Sequence, residues 1–342
     1  MNLAEDIKQK ALDLGFDLVG ITDASPVNNE QVELLADWLK SGYAGRMNYM
    51  HNNFEKRINP AKLLEDAQSI IVVGLNYKPP PYVRSLRARR SRARQSHHDK
   101  LEIASSTFGG LAMTLPTAPA GKVTNYAQYQ DYHSFIKKRL RRLANFIGSL
   151  VGRDLKFKIC VDSAPVAERA LAMRAGLGFI GKNRMLINPQ LGPQIFLGEI
   201  ITTLKLQADE PITDNCSNCN KCIEACPTGA LRPDGRFDAN KCISYLTIEY
   251  KDQIPAELAE KIGDRLFGCD ECVLACPYQE DAPVCTNKQF KFYNDRAKLD
   301  LRRILNLSRQ DFDAEFADSP INRLGLDRLK RNARICLSNI TR

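Results

Sequence analysis

Eight of the eleven cysteines fall between Cys216 and Cys276, and their spacing suits metal binding. The first half of this region reads C-x2-C-x2-C-x3-C-P, formed by Cys216, Cys219, Cys222 and Cys226 before Pro227. In bacterial ferredoxins such a run supplies three thiolates to one [4Fe–4S] cluster, and the cysteine before proline ligates the other cluster. The region is therefore predicted to carry iron–sulfur chemistry.

The second half of the region repeats the pattern in broken form, because Cys242 lies well upstream of the C-x2-C-x3-C-P segment. We predict two ligand sets, each of four thiolates: Cys216, Cys219, Cys222 and Cys276, and Cys226, Cys242, Cys269 and Cys272. Zinc ribbons and disulfides are the alternatives. Zinc sites use paired C-x2-C knuckles, which a third cysteine two residues on does not suit. The remaining thiols, Cys160, Cys285 and Cys336, are interpreted as packed side chains.

Two clusters form an electron route, and three segments are candidates for its acceptor. The glycines at 176–181 match G-x-G-x-x-G, but a helical pattern precedes them, so a helix cap and turn explains them better. Asp131 and His133 begin a D-x-H-x-x-G cobalamin signature in which Ile136 replaces the glycine. Asp162 follows a predicted strand, where it is either a charge at a helix start or an acid that protonates a reduced substrate.

The elements that position these residues alternate between strand and helix, which favours a layered α/β domain. Strands are predicted at 16–22, 69–75, 157–161 and 195–203, and helices at 30–41, 132–150 and 165–176. This domain covers 1–210, the cysteine domain 211–285 and a helical tail 286–342. Residues 79–120 break the pattern and are predicted to form a long basic loop insertion.

The net charge is compatible with a polyanionic partner such as nucleic acid, but a basic run such as that at 84–94 is more often a solvated loop or face. The formal net charge is +9, of which six arginines at 84–94 contribute six, so +3 remains without them. No apolar run is long enough to span a membrane, and the N-terminus lacks the features of an export signal. We therefore expect a cytoplasmic protein without a membrane partner.

Several motifs in one order resemble those of the epoxyqueuosine reductase family, and the resemblance covers most of the chain. Besides the cysteine pattern they are KRINP (56–60), YA (126–127), DYH (131–133), VDSAP (161–165), RAGLGFIGKN (174–183), FLGE (196–199), CISYLTIE (242–249) and RNARI (331–335). The resemblance implies an α+β, nitroreductase-like cobalamin-binding domain joined to a ferredoxin-like domain with two [4Fe–4S] clusters. It also implies reduction of epoxyqueuosine to queuosine in tRNA, the last step of queuosine biosynthesis.

The resemblance further implies roles for individual residues and partners. Asp162 matches the family's proton donor, and the implied cobalamin contacts are Arg57, Asp162, Leu186, Asn188, Leu197, Ser244, Tyr250 and Gln253. The implied partners are tRNA bearing epoxyqueuosine in its anticodon loop and a low-potential electron donor, and nothing demands more than a monomer.

The chain departs from the family pattern at the insertion, which is longer and more basic. The arginine run, Arg84, Arg87, Arg89, Arg90, Arg92 and Arg94, and the basic residues near the C-terminus are hypothetical contacts for tRNA phosphates. Two other functional classes remain as alternatives. A reductive dehalogenase shares the cofactor pair but is typically exported, and a bare electron carrier needs no α/β domain of about 200 residues.

Overall fold

The central layer is a four-stranded sheet flanked by helices. A computed structural model describes residues 2–80, 118–152 and 154–342, so most of the predicted insertion at 79–120, with its six arginines, lies outside the described residues. The strands are β1 Leu18–Asp23, β2 Ser69–Asn76, β3 Ala120–Val123, β4 Phe157–Cys160, β5 Phe179–Ile180, β6 Leu186–Ile187, β7 Ile195–Thr202, β8 Arg265–Phe267 and β9 Lys298–Asp300.

The large sheet has the order β1-β2-β7-β4, and each neighbouring pair is antiparallel. Its four strands are those predicted from the sequence. The rule that places ligands at the carboxyl edge of a parallel sheet does not apply to this sheet. Every residue of β2 and β7 is buried, because helices cover both faces of these two central strands.

Helices cover both faces of this sheet, and further helices belong to the cysteine region and the C-terminal segment. They are α1 Leu3–Asp13, α2 Asn29–Lys40, α3 Asn48–Asn52, α4 Phe54–Ile58, α5 Tyr132–Val151, α6 Glu168–Arg174, α7 Lys221–Glu224, α8 Ile243–Ile248, α9 Ala256–Ile262, α10 Glu271–Leu274, α11 Leu301–Asn306, α12 Arg309–Glu315 and α13 Leu326–Thr341. None of the helices within the described ranges is both long and apolar enough to cross a bilayer.

Side chains of β2 alternate between two apolar cores, as the two-residue period of a strand requires. Ile71 and Val73 join the core formed with α1 and α5, which includes Ile136. Ile70 and Val72 join the core beneath α6. The sheet is therefore clamped between helices on both faces, and the connections that leave its ends carry the polar residues described below.

The helix predicted at 165–176 is shorter in the structure, where α6 begins at Glu168. Pro165 and its neighbours instead form a tight turn in which the N–H of Val166 donates to the carbonyl of Ala164 at 2.8 Å. Asp162 begins this turn with φ of 53°, a left-handed conformation that few residues other than glycine adopt. Asp162 is therefore a turn residue and does not cap α6.

A third core joins the cysteine region to the C-terminal segment. Strand β3 pairs parallel with β8 and antiparallel with β9, and the core includes Val123, Leu266 and Leu329. The segment predicted as a helical tail holds α11, α12 and α13, and it also contributes β9. The domain limits drawn at 210 and 285 remain predictions, since the C-terminal helices share a core with the cysteine region.

Asn332 is the polar anchor of this third core, and we expect its loss to destabilise the protein. Its side-chain amide donates to the carbonyls of Thr247, at 2.8 Å, and Leu266, at 3.0 Å. Asn332→Ala leaves both buried carbonyls unpaired, so the free energy of unfolding should fall by about 3 kcal/mol. Urea unfolding followed by circular dichroism measures this change. The control Arg334→Ala, on the exposed face of the same helix, should change it by less than about 0.5 kcal/mol; equal midpoints for the two variants would contradict the assignment.

Candidate active site and cysteine sites

Asp162 lies at the end of β4 with its side chain 53 % exposed. Its Oδ2 is 2.9 Å from Nε2 of His133, the second residue of α5. The other ring nitrogen, Nδ1, is 2.6 Å from Oδ1 of Asp131. Asp131 also caps α5, because the same Oδ1 accepts the backbone N–H of His133 at 2.9 Å. The imidazole therefore bridges two carboxylates, and the start of α5 sets its orientation.

The electrostatics of this site place a proton between His133 and Asp162. Burial disfavours the imidazolium, but the hydrogen bonds to Asp131 and Asp162 outweigh it and raise the pKa of His133. Burial likewise opposes ionisation of Asp162, but the hydrogen bond and charge of His133, together with the charge of Arg323, lower the pKa of Asp162. Both shifts favour an imidazolium hydrogen-bonded to a carboxylate over the neutral pair.

Arg323 completes the polar part of the site from the distant C-terminal segment. Its Nη1 lies 2.8 Å from Nε2 of His133 and 4.0 Å from Oδ2 of Asp162. The positive charge of the guanidinium lowers the pKa of Asp162 and so favours its carboxylate form. Sequence reasoning missed Arg323, since no local pattern relates it to residues far upstream.

Aromatic rings form the floor beneath these polar groups. The ring of Tyr132 stacks on His133 and on Phe196, with centroids 4.0 and 4.1 Å apart. The ring of Tyr126 meets that of Tyr132 edge to face, with centroids 6.2 Å apart. The same ring lies 6.1 Å from the ring of Phe267, two residues before Cys269. The rings of Tyr132, Tyr126 and Phe267 therefore form a chain of contacts from His133, the partner of Asp162, to the segment that precedes Cys269.

The loop that carries Cys269 is tied to this aromatic layer by Asp270. One oxygen of Asp270 accepts from Oγ1 of Thr124 at 2.5 Å, and the other accepts from the N–H of Asn125 at 2.7 Å. Both partners immediately precede Tyr126. The structure thus joins the cysteine region to the sheet domain through direct hydrogen bonds.

Four of the predicted cysteine ligands line one pocket: Cys216, Cys219, Cys222 and Cys276. The N–H of Lys182 points to Sγ of Cys216 at 3.4 Å. The second predicted set also lies together, since burial and then the nearby thiolates of Cys242, Cys269 and Cys226 raise the pKa of Cys272. Each group draws on both halves of the cysteine region.

The predicted cobalamin contacts fall in two groups. Arg57 donates to the carbonyl of Val166 at 3.4 Å, beside the Asp162 turn, while its buried Nε is without a hydrogen-bond partner in the described part of the chain. Leu186 and Leu197 are buried in the core under α6. The side chain of Asn188 is occupied in its own turn, donating to the carbonyl of Leu177 at 2.9 Å.

The other group adjoins the second set of cysteines. Ser244 follows Cys242 and donates to the carbonyl of Cys269 at 3.4 Å, while Gln253 is exposed. The backbone carbonyl of Tyr250 is held by Arg331 at 2.7 Å. Tyr49 lies between the two groups: burial, followed by the charges of Glu249 and Asp162, raises the pKa of Tyr49 to about 12.

His133 offers a direct test of the proton-sharing arrangement. We expect its imidazole to titrate above the usual value near 6.5, and Asp162→Asn to lower the pKa because it removes a negative hydrogen-bond partner. NMR of the protein labelled at histidine with nitrogen-15 measures both values. The exposed His51 is the internal control, whose imidazole signals should be the same in both proteins; an unchanged His133 pKa in the variant would contradict the arrangement.

Comparison with known proteins assigns the family. Residues 57–163 match the family described as epoxyqueuosine reductase QueG, DUF1730, and residues 215–279 match the 4Fe-4S double cluster binding domain. The epoxyqueuosine reductase of Pseudomonas aeruginosa is 36% identical over 338 residues, which cover 98% of this chain and 85% of the relative.

Two solved structures resemble the whole chain. One is an epoxyqueuosine reductase with an epoxyqueuosine-modified tRNA-Tyr stem loop; the other is the Bacillus subtilis epoxyqueuosine reductase with a catalytic loop, named for an aspartate, swung out of the active site. Each has a TM-score of 0.83 and 30% sequence identity, and the likeness covers 98% of this chain and 81% of the other. The matches cover nearly all of the chain, and the family motifs are spread along it. The chain therefore belongs to the epoxyqueuosine reductase family.

Proposed function

We propose that the protein reduces epoxyqueuosine to queuosine at the wobble position of tRNA, using cobalamin reduced through two [4Fe–4S] clusters. The observation that carries this proposal is the half-exposed Asp162, hydrogen-bonded to His133 and connected by a chain of aromatic contacts to the segment before Cys269. The site therefore combines a proton source with a path for electrons. The identity of the substrate is inferred from membership of the family.

The reaction itself requires both components. Conversion of the epoxide to an alkene releases the oxygen as water and consumes two electrons and two protons. A carboxylic acid beside the oxygen protonates it as the carbon–oxygen bond breaks, and such general acid catalysis contributes about 10²- to 10⁴-fold in rate. Asp162 is the proposed donor of this proton.

His133 is the proposed source from which Asp162 regains its proton. A proton on Nε2 of His133 moves along the 2.9 Å hydrogen bond to Oδ2 of Asp162. Asp131 stabilises the ring throughout, since its carboxylate stays bound to Nδ1. The guanidinium of Arg323 lies beside both groups and lowers the pKa of Asp162, so the protonated carboxyl is a stronger acid toward the substrate.

The two thiol groups suit iron–sulfur clusters, in which each thiolate binds a different iron. The match of residues 215–279 to a double-cluster domain supports this assignment. The four cysteines of the first group surround a pocket instead of converging on a point. Across the described ranges, no three histidine, cysteine, aspartate or glutamate side chains are grouped for a single metal ion.

The residues around Asp162 also fit a corrinoid. The buried Nε of Arg57, unpaired within the described residues, is free to donate to an amide of such a ligand. Leu186 and Leu197, which lie in the core under α6, are the proposed apolar contacts. Ser244, Tyr250 and Gln253 are the proposed contacts beside the second cluster, and Asn188 and Asp162 complete the set. When bound, a reduced corrinoid supplies a strongly nucleophilic two-electron reductant.

In the proposed domain organisation, each of three segments of the chain has its own role. Residues 1–210 form a nitroreductase-like cobalamin-binding domain, 211–285 a ferredoxin-like domain and 286–342 the C-terminal segment that delivers Arg323. The partners are tRNA carrying epoxyqueuosine and a low-potential electron donor, and the protein acts as a cytoplasmic monomer. Support for the tRNA comes from the related structure with a modified stem loop and from the net charge of +9.

Removal of single cysteines tests the two ligand sets. We expect Cys216→Ser and Cys272→Ser each to lose one cluster, so iron falls from about eight to about four atoms per chain. Iron analysis and electron paramagnetic resonance of anaerobically purified protein measure the loss. Cys285→Ser is the matched control and should keep about eight; full iron content in both ligand variants would refute the sets.

The activity is tested with anaerobically purified protein that retains its clusters. The protein is incubated with epoxyqueuosine-containing tRNA and a low-potential reductant, with cobalamin present or omitted, and both nucleosides are quantified by mass spectrometry. We expect queuosine to form only when cobalamin is present. Corrinoid binding without conversion would overturn the proposal in favour of another corrinoid-dependent reduction, such as dehalogenation. Intact clusters without corrinoid binding would leave an electron carrier.

A further inference from the structure

Two glutamates, Glu168 and Glu199, lie near the Asp162 turn. Glu168 is the first residue of α6, and one of its carboxylate oxygens accepts the backbone N–H of Asp162. Glu199 is fully buried in β7, where its register partners are Val72 of β2 and Cys160 of β4. Within the described chain neither oxygen of Glu199 has a hydrogen-bond partner.

The Asp162 turn needs such support because its backbone is strained. Asp162 has a positive φ of 53° and no glycine-like freedom to adopt it, and a conformation of this kind persists only where surrounding contacts enforce it. The N–H of Ser163 already turns inward to the carbonyl of Val161 at 2.5 Å. The bond from Asp162 to Glu168 spans the turn and ties its first residue to the start of α6.

We infer that Glu168 is a positioning residue that holds the Asp162 carboxyl in reach of His133 and the substrate. This inference rests on the proposed role of Asp162 as proton donor. It gives Glu168 no contact with the reacting atoms. A carboxylate accepting a backbone N–H makes a stronger hydrogen bond than a neutral acceptor, so ionised Glu168 holds the turn most firmly.

The charge state of Glu168 follows from the groups that face it. Burial, with the nearby charge of Asp162, raises the pKa of Glu168 to about 7, while Arg169 and His133 oppose the rise. Burial, followed by the charges of Glu168 and Asp162, raises the pKa of Glu199 well above its usual value, which favours the neutral acid. Cys160 also faces this space, and burial and both glutamates raise its pKa to about 12, which keeps the thiol neutral. Glu168 is thus the member of this group that ionises near pH 7.

Protonation of Glu168 should lower the rate, whereas protonation of the His133–Asp162 pair should raise it. As the pH falls below about 7, Glu168 takes up a proton, its bond to the Asp162 N–H weakens and the turn loosens. Protonation of the His133–Asp162 pair, by contrast, improves as the pH falls. The rate should therefore decline on the acid side because of Glu168.

The test compares three variants by hydrogen exchange and by single-turnover kinetics with cobalamin-loaded, cluster-containing protein. Glu168→Ala removes the acceptor, and we expect faster amide exchange at 161–167 and a rate lower by about 10²-fold, with an unchanged KM for tRNA. Glu168→Gln keeps a neutral oxygen acceptor that cannot titrate, so its rate should lie near the level that the wild-type protein reaches at low pH, and the acid-side decline near pH 7 should disappear. Glu199→Gln replaces a neutral acid by a neutral amide and is the matched control, with wild-type exchange and pH profile.

Two outcomes would overturn the inference. One is wild-type exchange at 161–167 together with a wild-type rate in Glu168→Ala, and the other is an acid-side decline that persists in Glu168→Gln. Exchange is measured without substrate, so slow conversion by the wild-type protein would count against the proposed function while exchange still decides the role of Glu168. If Glu168→Ala fails to fold, Glu168→Gln alone decides the matter through its pH profile.

Discussion

The hydrogen bond between Asp162 and His133 is the constraint on which the site depends. Its two partners come from elements on opposite sides of the sheet's end, the turn after β4 and the first turn of α5. Asp131 joins the same unit by capping α5 and binding the far side of the imidazole. The packing of α5 against the sheet therefore sets the position of the acid, and its protonation depends on the ring.

The remaining architecture brings this acid to the electron source. The floor of stacked rings, from His133 through Tyr132 to Phe196, continues to Tyr126 and reaches the segment before Cys269. Because β3 pairs with β8 and β9, the C-terminal segment packs on the same core and delivers Arg323 to the site. Electron path, acid and positive charge thus converge from three separate stretches of the chain.

Local patterns predicted much of this from the sequence. The cysteine runs are recognisable from their short fixed spacings, and the four strands of the large sheet follow from β-branched runs, because both signals reside in neighbouring residues. The antiparallel order of the sheet was not predictable in this way, since pairing depends on contacts between distant segments. The start of α6 was placed three residues early, because Pro165 and the turn around it end the helical pattern only in their tertiary context.

The contributions of Glu168 and Arg323 escaped sequence reasoning for the same physical reason. Arg323 contacts His133 across 190 positions of sequence. Glu168 accepts a hydrogen bond from a backbone N–H, a contact that no particular residue type signals. Asp162 was recognisable as a candidate from its place after a strand. Its left-handed backbone and its bond to His133 required the folded chain.

The most direct test of the account is the single-turnover rate of queuosine formation by Asp162→Asn. Reduced, cobalamin-loaded protein is mixed with epoxyqueuosine-containing tRNA, and Asp154→Asn, an exposed aspartate just before β4, is the control. The account predicts a rate lower by at least about 10²-fold, with clusters and tRNA affinity retained, and a wild-type rate for the control. A wild-type rate in Asp162→Asn would contradict it, because the proton would then reach the substrate from another group.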